Sequence, residues 1–203
     1  MEADWTIALA ADDPMVVVPW AASEKEGGYR FVDLRGAPHL VDSIAEAQAS
    51  APLRDALLLL NKPVSPLWTA KCDVWRTNEE LHDPWEMDAE PGDTAFCAGS
   101  YIDLLARDRE FGSSFPRQEA WLRQVTERLR AAACKASRVE LVLRHAEVEG
   151  RAGFAVSWFV EGCGANAAIA EQRWANALAL TLTVIMESLQ TEAHERYNEH
   201  TGE

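Results

Sequence analysis

Three times along this chain a pair of strand-like segments gives way to a helical one, and that recurrence limits the fold more than any other feature. In the first block, Thr6–Leu9 and Met15–Val18 flank Ala11-Asp12-Asp13-Pro14, which reads as a strand pair around a turn. Tyr29-Arg30-Phe31-Val32-Asp33-Leu34 follows as a strand. From Pro38 onward Leu40, Val41, Ile44 and Ala45 recur at helical spacing, and Leu53, Leu57 and Leu60 continue it. Pro52 opens a new segment, so two short helices or one kinked helix are expected. The second block has strands over 67–76 and 94–107 with an acidic loop between them. Its helix starts at Ser113-Ser114-Phe115-Pro116 and runs to about Ala136. The third block is a hairpin, Arg138–Arg144 and Gly153–Val160 about Glu149-Gly150-Arg151, followed by a long helix from Ala165 to about Leu189.

Helices that recur after strand pairs imply an α+β fold, a mainly antiparallel sheet with its helices on one face. Each block also carries an aromatic, β-branched aliphatic, acid triplet before its helix: Phe31-Val32-Asp33, Tyr101-Ile102-Asp103 and Phe159-Val160-Glu161. The triplets suggest a ββα unit repeated three times, although strands favour such residues in any case. The stretch from Tyr29 to Arg144 also fits the βαββαβ order of ferredoxin-like folds, extended by a C-terminal strand and long helix. Residues 1–191 are expected to form one domain, with 192–203 a polar, frayed tail.

The 203 residues are 48% hydrophobic, within the globular range, which excludes wholesale disorder. Nineteen Lys and Arg against 33 Asp and Glu give a net charge of −14. Phosphate backbones and anionic membranes are bound by basic surface, so neither nucleic acid nor a membrane is an expected partner. The acidic start, Met1-Glu2-Ala3-Asp4, has no apolar segment of signal type after it, which points to the cytoplasm. Cys72, Cys97, Cys134 and Cys163 are too far apart in sequence for a CxxC motif and read as packed thiols.

Period-two alternation divides each strand between two faces. On 67–76, Trp68, Ala70, Cys72 and Val74 are expected to face the helices, and Thr69, Lys71, Asp73 and Trp75 the other side. Tyr101 and Asp103 join that second side from the next strand, and Glu140 and Arg144 from the one after. Aromatic rings among charges fit a binding face, with Lys71, Asp73, Trp75, Tyr101 and Arg144 as its binding residues. The last helix carries apolar residues round most of its surface: Trp174, Leu178, Leu182, Ile185 and Leu189 in one stripe, widened by Leu180, Val184 and Met186. Such a helix needs flanking helices or a second subunit. Trp85, an apolar ring in an acidic loop, is expected to fold back or meet a partner.

Candidate chemistry rests on three groups. Asp33, Asp103 and Glu161 would share one cleft if the blocks were symmetric, and carboxylates brought together suit acid–base or metal work. The loop 79–93 holds seven carboxylates, with His82, Asp83 and Glu86 able to contribute metal ligands, but not at calcium-loop spacing. Gly162-Cys163-Gly164 precedes a helix, where a thiol is activated if a base such as His145 lies near. No P-loop, G-x-G-x-x-G, H-E-x-x-H or G-x-S-x-G is present, and no cofactor is indicated. The expected function is a homo-oligomeric binding or scaffold protein, a homodimer with room for an unidentified small-molecule ligand. The alternative is a small metal-assisted or acid–base enzyme on the strand-end carboxylates.

Overall fold

A computed structural model describes residues 1–20, 30–78 and 83–201, with side chains described through residue 190. The strands are β1 (Glu2–Ala8), β2 (Val16–Val18), β3 (Leu67–Thr77), β4 (Phe96–Ala106), β5 (Ser137–Val148) and β6 (Arg151–Gly164). The helices are α1 (Ala45–Ala49), α2 (Ala51–Leu60), α3 (Arg109–Ser113), α4 (Phe115–Arg130) and α5 (Ala167–Thr201). The fold is α+β. Its sheet runs β1-β5-β6-β4-β3, antiparallel except where β1 and β2 meet β5.

The β5–β6 hairpin is where local sequence decides most. Glu149 and Gly150 take positive φ of 53° and 76° in a two-residue turn of the kind that matches strand twist. From there the register runs unbroken from Val148↔Arg151 to Ser137↔Gly162. The first strand pair is not a hairpin. β1 and β2 lie end to end along the same edge of β5, both parallel to it. The turn between them exists, with Asp13 accepting from the Ala10 amide at 2.7 Å, but it loops out and resumes its direction. The expected strand at Tyr29–Leu34 is also corrected. Tyr29 lies outside the described residues, and Arg30 to Asp33 form no strand. Asp33 instead accepts from the Arg35 amide at 3.0 Å, a turn made by its own side chain, and Phe31 meets Trp68 edge-on at 6.4 Å.

The ferredoxin-like alternative thereby loses its first strand. The order of two strands then helices does recur three times, but the blocks differ in arrangement and their triplets are not in equivalent places.

The chain breaks at Ser50, giving two helices rather than one kinked one; the Ser50 hydroxyl accepts from Leu53 N with Pro52 in the first turn. The second block's helix is likewise two pieces, α3 capped by Asp108 and α4 ending at Arg130. α5 passes its expected end and continues to Thr201, because 190–201 holds helix-compatible residues without Gly or Pro.

The helices α2, α4 and α5 cover one face of the sheet. α5 crosses β6 and β4 between α4 on the β1 side and α2 on the β3 side. Those neighbours bury its broad apolar surface within one chain, so a second subunit is not required for it. Trp158 and Trp174 are fully buried there with Leu122, Leu141, Ile102 and Ile185. Trp174 Nε1 donates to Ser100 Oγ at 3.0 Å and Trp121 Nε1 to Ser188 Oγ at 2.9 Å, so these rings carry their polar atoms inward with a partner. No helix among the described residues is long and apolar enough to cross a membrane.

Candidate functional site

A β-bulge decides which side chains share the second sheet face. Thr69 pairs with Leu104 and Cys72 with Ile102, so Ala70 and Lys71 together oppose the single residue Asp103. The extra residue inverts the alternation along β3. Trp68 and Ala70 therefore turn away from the main core and pack with Leu105, Val16, Val18, Ala146 and Ala155, while Cys72 and Val74 face the helices as expected. Buried Asn61 at the end of α2 pins the inversion. Its amide donates to Thr69 Oγ1 at 2.8 Å and its carbonyl oxygen accepts from Thr69 N at 3.3 Å.

Beyond the bulge the register sets residues in rows across the sheet. Asp73, Tyr101, Phe159, Glu140 and Asp4 form one row over five strands. Tyr101 and Phe159 stand ring to ring, 5.5 Å between centroids. In the next row Trp75 opposes Gly99, and a Cβ there would lie 2.5 Å from the Trp75 ring, so the glycine makes a seat for the indole. On the other side Asp103 opposes Ser157. Arg144 Nε donates to Ser157 Oγ at 3.0 Å, and that hydroxyl donates to Asp103 Oδ1 at 2.6 Å. Lys71, Asp73 and Tyr101 also border a groove of about 300 Å³ at the β3 edge, together with Trp20 and Glu46. Trp20 Nε1 donates there to Ala70 O at 3.2 Å. Burial pushes the Tyr101 phenol up, helped by Asp103 and Asp73, and pushes the Cys72 thiol up to about 12. Neither group ionises near neutral pH.

Asp103 is 7% exposed. Burial raises its carboxyl above the ordinary range, against the opposing effects of the Ser157 hydrogen bond, Arg144 and Lys71. An acid whose pKa is higher folded than unfolded contributes stability that is complete below its unfolded pKa, about 3.9, and lost as pH rises through the folded one. Asp103→Asn stays neutral at every pH and keeps an oxygen for Ser157. It should therefore melt higher than the parent at about pH 8, the difference closing below about pH 4, in a pH series of thermal unfolding curves. A parent that gains stability over Asp103→Asn with rising pH would contradict this assignment.

The three strand acids are not brought together. Asp103 opposes Ser157 while Glu161 opposes Gly99, four residues along the same strand pair and so about 13 Å apart at about 3.3 Å per residue. Asp33 sits in its own turn, gripped by Arg35 at 2.7 and 2.9 Å, which with its other hydrogen bonds holds its carboxyl below the ordinary range. Of the acidic loop, Glu79, Glu80 and His82 lie outside the described residues. Asp83 caps a short turn over Pro84–Met87, and Asp93 pairs with Arg173 at 2.8 Å. Among the described residues no group of three or more His, Cys, Asp or Glu converges to hold a metal ion.

Cys163 is fully buried against Cys97 and Met87. His145 stacks on Phe154, nine residues along β6 and roughly 30 Å away, beyond reach of the thiol. The two glycines beside Cys163 serve packing, because α5 lies directly on β6 at both.

Sequence reasoning missed Phe159 as a member of the face, although its spacing from Tyr101-type positions on an alternating strand was the available signal. It also missed a set of arginines at the sheet's end. Trp85 stands 88% exposed and does not fold back. No family model matches the chain, and no curated protein or solved structure matches it significantly.

Proposed function

We propose that the chain is a binding protein that pairs with a second copy of itself through the open sheet face centred on Tyr101 and Phe159. The observation that carries this reading is the aromatic pair, half-buried and set among Asp73, Asp103, Glu140 and Arg144 on the face that α2, α4 and α5 leave alone. Aromatic residues ringed by polar ones are the composition of interface centres. Arg138 and Arg144 on β5 add cations to the same face, so both signs of charge ring the aromatic pair. Trp85 is exposed two residues from the Met87 that packs on Cys97 and Cys163.

Light scattering behind a sizing column should give twice the 22.5 kDa chain mass, across two protein concentrations and two salt levels. The variant Tyr101→Ala/Phe159→Ala should weaken the dimer at least about tenfold, since buried interface aromatics each contribute on the order of 1–2 kcal/mol or more. A single-chain mass under every condition would overturn the self-association reading.

A further inference from the structure

The end of the sheet away from Cys163 holds a cavity of about 470 Å³, where β4 runs into α3 and β6 leaves its hairpin. Trp68, Leu105 and Phe154 give it apolar walls, and four arginines reach it: Arg35, Arg107, Arg109 and Arg151. In a chain of net charge −14 such a cluster is the reverse of the general field. The nearby acids are already engaged, since Arg35 takes Asp33 at 2.7 Å and approaches Glu149 at 3.9 Å while lying 3.9 Å from the Trp68 ring centroid.

Among the described residues no carboxylate lies within ion-pair distance of the other three arginines, although Asp33 attracts Arg107 from farther off. Arg107 Nη2 donates to the carbonyls of Asn61 and Lys62 at 3.1 and 3.2 Å, which fixes the guanidinium, yet its buried Nε donates to nothing. Burial and then the charge of Arg35 push Arg107 below its ordinary value, against the opposing attraction of Asp33. Arg109 and Arg151 are exposed, and their side chains form no hydrogen bond or ion pair among the described residues. Gathering like charges around a hollow costs energy, and an oxyanion with several acceptor oxygens offsets it through charge-assisted hydrogen bonds.

We propose that this cavity binds a small phosphomonoester, its phosphoryl group held by Arg107, Arg109 and Arg151 and its organic part against Trp68, Leu105 and Phe154. The volume lies within the ordinary range for small-ligand sites and exceeds what a bare phosphate fills. A dianion suits three guanidinium groups that hold no ion pair among the described residues better than a monoanion does, and this separates phosphoryl from simple carboxylate ligands. The site stands apart from the sheet face and does not depend on self-association.

Phenyl phosphate is the probe, titrated calorimetrically into the full chain and followed by thermal shift, with benzoate, phenol and inorganic phosphate alongside. Saturable binding of phenyl phosphate is expected, at least tenfold tighter than benzoate, with none by phenol. Arg109→Gln/Arg151→Gln should weaken it at least tenfold while melting within a few degrees of the parent, because both side chains are exposed and hold nothing else. Arg107→Lys, which keeps charge but loses the fork, should weaken it too. Benzoate binding as tightly as phenyl phosphate would overturn the phosphoryl assignment. Absence of saturable binding, or equal binding by the double arginine variant, would overturn the site.

Discussion

Gly162→Ala should leave the chain without a cooperative unfolding transition near that of the parent, a loss above about 4 kcal/mol. A Cβ at this position would stand 2.1 Å from the backbone nitrogen of Trp174 and 2.7 Å from the Arg173 carbonyl carbon. Both are atoms of the α5 backbone, so no rotamer change makes room and the helix itself must lift. Lifting α5 unseats Trp174, breaks its bond to Ser100 and opens the centre of the core. Thermal unfolding followed by near-ultraviolet circular dichroism reads the effect directly, since both buried tryptophans report on packing. A variant melting within a few degrees of the parent would show that α5 does not approach β6 this closely.

Trp158→Ala should cost about 3–5 kcal/mol, the range for emptying a large aromatic site. Trp158 is fully buried between Ile102 on β4 and Leu141 on β5, so the void has no solvent route by which to collapse or fill. In a chain of this size the melting temperature should fall by roughly 6–20 °C. Its indole nitrogen is also buried without a partner. Trp158→Phe removes that donor along with part of the ring, and relief of an unmet donor, about 1–3 kcal/mol, offsets lost contacts. Trp174→Phe has no such offset, because it strips the fully buried Ser100 hydroxyl of the indole that donates to it. Trp158→Phe should therefore be the milder of the two in paired denaturant titrations. The reverse order would mean that Trp158 has a polar partner after all.

What could be read from the sequence was what depends on neighbours in the chain. The β5–β6 hairpin follows from clean alternation about Glu149-Gly150, and β4 presents Tyr101 and Asp103 on one side and Ile102 and Leu104 on the other as its period requires. Asp73 opposite Tyr101 could be anticipated on the same ground. The bulge at Ala70-Lys71 could not, because an extra strand residue leaves no mark in composition and is specified by Asn61 from the preceding helix. Phe31-Val32-Asp33 has the residues of a strand but no strand beside it, and its acid bonds locally instead. Partners about 130 residues away placed β1 on β5, beyond any local pattern.

The candidate sites divide in the same way. The sheet-face set lies on consecutive strands whose alternation exposes it. The arginines at 107, 109 and 151 are ordinary loop-end and turn residues until the hairpin tip is folded beside α3. Gly153 permits that approach, since a Cβ there would come within 2.9 Å of the Gly112 carbonyl oxygen. Gly162 and Gly164 read in sequence as the flanks of an activated thiol, whereas their physical reason is the closeness of a helix backbone.

The placement of β1 has a consequence for the order in which the molecule is built. Residues 2–8 leave the ribosome well before Arg138–Arg144, yet the edge they occupy does not exist until those later residues have been made. β1 must wait, unpaired, until that edge emerges, and its pairing closes a loop of about 130 residues. Chains ruled by such distant pairings fold slowly. The β4, β5 and β6 strands lie within residues 96–164 and can pair with one another without β1, whereas β1 has no place in the sheet without β5.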